Sequence, residues 1–177
     1  ESEARLRRSQ EMAHIGSFEW DVRANEVVYR SDTAYDIYGS TPGQTPRNLN
    51  DLTELFHPDD RDRIAAAYET FVSTPEPYDI EFRIVLPDGE VRHIHETSSP
   101  QFDDRGTLVR IAGTVQDITG TKAAEARFRT LLESSPDATI IANQAGEIVL
   151  VNNQAQVMFG YDREELVGMP VETLMPE

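Results

Sequence analysis

The chain has 177 residues, 38% of them apolar, and a formal net charge of −16 from 32 acidic against 16 basic side chains. That length suits one full domain plus part of another, and the acid excess argues against a nucleic-acid surface, which needs a basic patch. No run of about 18 apolar residues offers a membrane span, and the lack of cysteine rules out disulfides, thiolate metal sites and cysteine nucleophiles. The start, Glu1-Ser2-Glu3, has neither an initiator Met nor signal-peptide character. A cytoplasmic piece of a longer chain is therefore expected.

Glu3 to Ile15 reads as a helix with Leu6, Met12 and Ile15 on its apolar side. Ser17 to Val22 reads as a strand with Phe18, Trp20 and Val22 on one face, and Glu26 to Ser31 as its hairpin partner. Asp32 to Tyr38 is a short helix that Gly39 stops and Ser31 or Asp32 can cap. Thr41 to Asn50 contains two prolines and reads as a loop, followed by a helical turn from Leu52 to Phe56. His57-Pro58-Asp59-Asp60 opens the longest internal helix, to about Ser73: proline suits the first helical position and the carboxylates suit its positive end. Three strands follow, Asp79 to Leu86, Val91 to Ser98 and Leu108 to Ile118, joined by turns at Pro87-Asp88-Gly89 and Asp103-Asp104-Arg105-Gly106. They predict an antiparallel meander with one buried face. Beyond it Thr121, Ala124, Phe128, Leu131 and Ser135 recur at three-four spacing, a stripe that suits a helix seam on the chain's own sheet or in a dimer.

An internal repeat organises these elements. Glu3-Ala4-Arg5-Leu6-Arg7 returns as Glu125-Ala126-Arg127-Phe128-Arg129, Glu26-Val27-Val28 as Glu147-Ile148-Val149, and Ala34 and Gly39 as Ala155 and Gly160. So long a period suits tandem globular domains rather than a solenoid. The expected organisation is a linker helix over 1–16, a complete domain over 17–119, a second linker helix over 120–136 and the start of a second domain over 137–177. The second copy predicts strands at Ala138 to Ala142 and Glu147 to Asn152 and helices near Gln154 to Gly160 and Arg163 to Val167. It lacks a meander, so it is expected to be mobile or ordered only by another copy.

Between Tyr78 and Glu125 the chain carries Phe82-Arg83-Ile84, Pro87-Asp88-Gly89-Glu90-Val91-Arg92, Gly106, Arg110-Ile111-Ala112-Gly113, Asp117-Ile118-Thr119, Lys122 and Glu125. In these residues it resembles the C-terminal half of a PAS sensor domain. Gly146-Glu147-Ile148-Val149, Val151-Asn152 and Phe159-Gly160-Tyr161 resemble the N-terminal half of another. The resemblance implies an α+β fold: one five-stranded antiparallel sheet of order 2-1-5-4-3, short helices on one face, amphipathic linker helices on its flanks. It implies a cavity between sheet and helices, with Trp20, Tyr29, Ile37, Tyr38, Phe56, Tyr68, Phe71, Ile84, Ile94 and Val115 as candidate walls, although these residues could equally fill a solid core. It makes Asp117 and Thr119 the anchors of the junction between the last strand and an output helix. Haem-binding relatives usually place a histidine on the long helix, and Asp59 to Ser73 contains none. Photoactive flavin relatives use a cysteine, which is absent here; non-covalent flavin stays open, and no cofactor is assigned.

The residues offer no catalytic constellation: no phosphate-binding glycine loop, no nucleophile elbow and no zinc-ligand pattern. His93 and His95 share a strand face without a third metal ligand in view, His57 reads as part of a helix start and His14 as exposed. No metal site is expected. The best reading is a sensory PAS module of a multi-domain signalling protein, foremost a sensor histidine kinase, that binds a small ligand or partner and relays it through its C-terminal helix. The alternatives are a ligand-free dimerisation or spacer module in a tandem array, or the input domain of a diguanylate cyclase or chemoreceptor-like transducer. Expected partners are a second copy, paired through Leu6, Met12, Ile15, Ala124, Phe128 and Leu131, and the output domain of the same chain, with neither nucleic acid nor membrane contact.

Overall fold

The computed structural model describes residues 13–42, 48–74 and 76–174. Leu6 and Met12 lie outside the described residues. The chain divides into two compact units between Gly120 and Thr121.

In the first unit five strands, β1 (Ile15–Asp21), β2 (Glu26–Arg30), β3 (Tyr78–Val85), β4 (Val91–Phe102) and β5 (Leu108–Asp117), form one sheet of order β2-β1-β5-β4-β3. All neighbours are antiparallel. Ile15 opens β1 rather than closing a helix, because it pairs with Gln116 on the central strand. β4 runs past Ser98 to Phe102 because β5 continues to pair with it, Pro100 opposite Ile111. Its β3 partner has ended by then at Tyr78 opposite Ser98, so Pro100 sits where β4 has become an edge and proline is tolerated.

Helices α1 (Asp32–Ile37), α2 (Leu49–Leu55) and α3 (Arg61–Ser73) cross between β2 and β3, with a 3-10 turn at Pro58–Asp60. Leu49 and Asn50, expected in a loop, start α2, because the Asn48 side chain caps it by accepting from Asp51 N at 2.9 Å. Ser31 caps α1. Ala34, Ile37, Phe56 and Ile64 from this side meet Phe82, Ile84, Ile94 and Val115 from the sheet in one packed core. Ile84, Ile94 and Val115 have no exposed surface.

Both turns of the meander rest on left-handed glycines. Gly89 has φ +88° and donates to Leu86 O at 2.9 Å, while Glu90 N donates to Asp88 Oδ1 at 3.0 Å. A Cβ on Gly89 would meet no atom within 4 Å, so a substitution there tests backbone strain alone. Gly89→Val should lower stability by about 1–3 kcal/mol. Equal melting temperatures for variant and parent would refute the turn.

The second unit is built on α4 (Thr119–Ser134), which begins at the end of the first unit, a hairpin of β6 (Ile140–Ala142) and β7 (Ile148–Val151), α5 (Asn153–Phe159) and α6 (Arg163–Leu166). Sequence reasoning leaves this half-domain without enough surface to order itself. The structure instead gives it a core of its own: Ile148, Val151, Ala155 and Leu166 are each at most 1% exposed. α6 adds to that core through Leu166.

Candidate functional site

The site in the first unit is set by a bulge. The β1–β2 register slips between Glu19 and Trp20, so Trp20 faces Val27 while Phe18 faces Arg30. Alternation from Val27 would bring Tyr29 inward. The extra residue turns Tyr29 out, 50% exposed, and Arg30 in. On β4 Glu96 falls between Ile94 and Ser98, both buried, and so points to the helix side.

These residues enclose a cavity of about 50 Å³ between sheet and helices, walled among others by Trp20, Tyr38, Phe56, Tyr68, Phe71 and Ile111. Trp20 stacks on Tyr68 with ring centroids 5.4 Å apart and planes 13° apart. The Trp20 indole is 5% exposed and its Nε1–H, which finds a partner in most buried tryptophans, has no acceptor among the described residues. A polar cluster also lines the cavity. The Arg30 guanidinium lies over the Tyr38 ring, 5.0 Å from its centroid. Glu96 Oε1 accepts from the Tyr78 hydroxyl at 2.7 Å and from the Ser98 hydroxyl at 3.2 Å. Burial pushes the Glu96 carboxyl up, against the pull of those two hydrogen bonds, and burial likewise raises the Tyr38 and Tyr78 phenols and lowers Arg30.

Of the ten residues expected to wall a cavity, Trp20, Tyr38, Phe56, Tyr68 and Phe71 do so. Ile37, Ile84, Ile94 and Val115 belong to the packed core instead. Tyr29 is on the outer face. Arg30, Glu96 and Ser98 escaped the apolar criterion, although the 94-96-98 alternation on β4 is a signal that finds Glu96 and Ser98. An engineered cavity of about 150 Å³ takes benzene, whereas this one has room for one or two waters. A group of haem or flavin size would have to displace its walls, and no histidine is among the described residues that line it.

The junction residues lie where the last strand becomes α4. Asp117 Oδ1 accepts from Thr119 N at 2.8 Å, and Thr119 Oγ1 accepts from His93 N at 2.9 Å. Arg92 connects this corner to the cavity wall. Its Nη1 donates to Asp36 O and Ile37 O at 2.8 and 2.9 Å, at the end of α1 beside Tyr38, and its Nε lies 3.7 Å from Asp117 Oδ2. On the other side Asp60 fastens α3 to β3. It accepts from Arg83 N at 2.8 Å and forks onto Arg83 Nε and Nη2 at 3.0 and 2.8 Å. His57 Nδ1 accepts from Asp59 N at 3.3 Å, His95 Nε2 pairs with Asp79 across β3 and β4 at 2.7 Å, and His14 is exposed in the turn before β1. Among the described residues no three His, Cys, Asp or Glu side chains come together as a metal site.

Sheet order, helices on one face and a largely apolar cavity with a polar cluster between them define the class of fold: α+β, built on one five-stranded antiparallel sheet. Residues 27–115, half of the chain, match a family model described as PAS fold, and residues 126–177 match a second so described. The chain belongs to the PAS family, one complete module followed by part of another. It is 28% identical to the sensor protein FixL of Bradyrhizobium diazoefficiens over 92% of this chain, and 26% identical to the probable diguanylate cyclase DgcE of Escherichia coli over 97%. It spans 33% and 16% of the lengths of these two relatives. A crystal structure of the sensory box histidine kinase/response regulator from Burkholderia thailandensis superposes with a TM-score of 0.59 at 27% identity, covering 72% of this chain and 94% of that one.

Proposed function

We propose that the chain is the sensory input of a larger cytoplasmic signalling protein, foremost a histidine kinase, and that its signal enters at the Trp20 cavity. The Trp20 Nε1–H, without an acceptor among the described residues, carries this reading. A buried donor without an acceptor costs free energy, and a ligand presenting one oxygen or nitrogen acceptor recovers it. Glu96, Arg30 and Tyr78 offer the polar contacts, and the Trp20–Tyr68 stack a flat apolar wall. A ligand larger than two waters must move that wall. Tyr38 adjoins Ile37, whose carbonyl Arg92 holds, so wall movement bears on Asp117 and the start of α4.

The same small volume favours the second reading, a ligand-free spacer whose cavity holds only water. Val115 is fully buried in the packed core and cannot test the cavity, whereas Ile111 lies on its wall. Ile111→Phe should fill the space. In a thermal-shift screen of small carboxylates, aromatic acids and flavin mononucleotide, an active compound should raise the melting temperature of the parent and not of the variant. A parent that no compound stabilises would leave the spacer reading standing.

α4 is the proposed relay and dimer seam. None of its 16 residues is buried, Phe128 is 50% and Leu131 70% exposed, and Ala124 lies on the same stripe. Isolated helices of this length are marginal in water, so a second copy covering the stripe is the natural partner. Ile15, expected in such a seam, belongs instead to β1.

A further inference from the structure

Asn152 lies between β7 and α5, has no exposed surface and uses its whole hydrogen-bonding capacity. Oδ1 accepts from Thr139 N at 2.8 Å and from Ala155 N at 3.0 Å. Nδ2 donates to Leu132 O at 3.0 Å and to Asp137 O at 2.9 Å. The first pair ties strand to helix inside the module. The second pair reaches back to the end of α4. Glu133, the next residue of α4, adds another fastening. Its carboxylate accepts from Asn153 N at 3.0 Å, at the positive end of α5, and from Arg163 Nη2, and these bonds hold its pKa below the usual carboxylate range.

The repeat supplies an internal comparison. Ser31 occupies in the first unit the place of Asn152 in the second. Its hydroxyl accepts from Ser17 N at 2.9 Å and from Ala34 N at 3.2 Å, the same strand and helix pair. A serine therefore suffices to join strand and helix in this fold. It has no amide with two hydrogens to donate. The donor half of Asn152 is an addition, and burying a further polar group costs free energy unless it is satisfied. Here it is satisfied only by the incoming helix and the residues just after it.

We infer that Asn152 is the residue through which the second module receives movement of α4. Its Nδ2 fixes the last turn of the helix to the β7–α5 junction, with Glu133 fixing the same turn about its axis, so helix end and junction move as one. This rests on the relay role proposed for α4.

The test is amide hydrogen exchange on the full chain with Asn152→Ser, the side chain that the first unit uses at this place. The strand and helix bonds should survive, so β7 and α5 should keep their protection. Amides from Leu131 to Asp137 should exchange about tenfold faster, for the two bonds lost. Unchanged exchange over Leu131 to Asp137 overturns the inference, and so does uniform loss of protection through the unit, which would make Asn152 a folding residue only. A second variant, Thr119→Val, loosens the start of α4. In the parent background it should speed exchange along α4 and at Asn153 to Ala155. In the Asn152→Ser background the effect should stop at the end of α4. Equal spread into α5 in both backgrounds overturns the inference while leaving α4 as a relay. No change along α4 in either background removes the relay and the inference with it.

Discussion

Gly16→Ala should lower the stability of the first unit by about 3 kcal/mol, at the upper end of what overpacking costs. A Cβ on Gly16 would lie 2.5 Å from Ala34 Cα and 2.6 Å from Ala34 N, both backbone atoms of the buried helix α1. No rotamer change relieves such contacts. β1 must part from α1, and with it the Trp20 wall from the Tyr38 wall. Ala34→Gly should not rescue the variant, since it removes only the Cβ, 2.7 Å away, and leaves the closer atoms in place. Urea unfolding of the two single variants and the double variant measures this. A Gly16→Ala chain as stable as the parent would mean that helix and strand do not meet this closely.

Asp60→Asn should lower stability by about 2 kcal/mol at neutral pH, and the difference should vanish in acid. The Arg83 guanidinium, forked onto this 8% exposed carboxylate, holds its pKa at about 2, against an ordinary value of 3.8. A shift of that size corresponds to roughly 2 kcal/mol. The same contacts raise Arg83, which is charged throughout, so the interaction counts once. A carboxyl whose folded pKa is depressed stabilises the fold above its unfolded value. The contribution is complete above about pH 5 and is lost as pH falls through 4 toward 2. Melting curves of parent and variant between pH 7 and pH 2 should therefore converge. A constant gap across that range would show that the loss is one of shape and not of charge.

The sequence alone carried the local rules. Pro87-Asp88-Gly89 and Asp103 to Gly106 fixed the meander, because Gly89 and Gly106 are residues that tolerate the left-handed conformations those turns require. Ser31 announced the cap of α1, and Pro58 a helix start that the structure divides into a 3-10 turn and α3 from Arg61. The alternation of Ile80, Phe82 and Ile84 named the inner face of β3. Together with the resemblance these residues gave the sheet order, because strand neighbours follow from short turns and a right count of elements. A third of the cavity wall was legible for the same reason, since Trp20, Tyr38, Phe56, Tyr68 and Phe71, five of its fifteen residues, are large and fall on apolar faces.

What lay beyond the sequence was whatever depends on register and on distant partners. One residue of bulge between β1 and β2 exchanged Tyr29 for Arg30 at the cavity, and no local pattern encodes it because both registers satisfy β2 on its own. Burial of Glu96 is visible in its alternation, but its tolerance depends on the Tyr78 and Ser98 hydroxyls, which only the folded sheet brings near. Val115 reads as a wall residue until the tertiary structure fills the space around it. The second module reads as too small to order itself until Ile148, Val151, Ala155 and Leu166, spread over a hairpin and two helices, are seen to meet in a core of their own. Local conformational preference is a property of neighbours in the chain; register, cavities and polar satisfaction belong to neighbours in space, and the sequence names those only after the chain has folded.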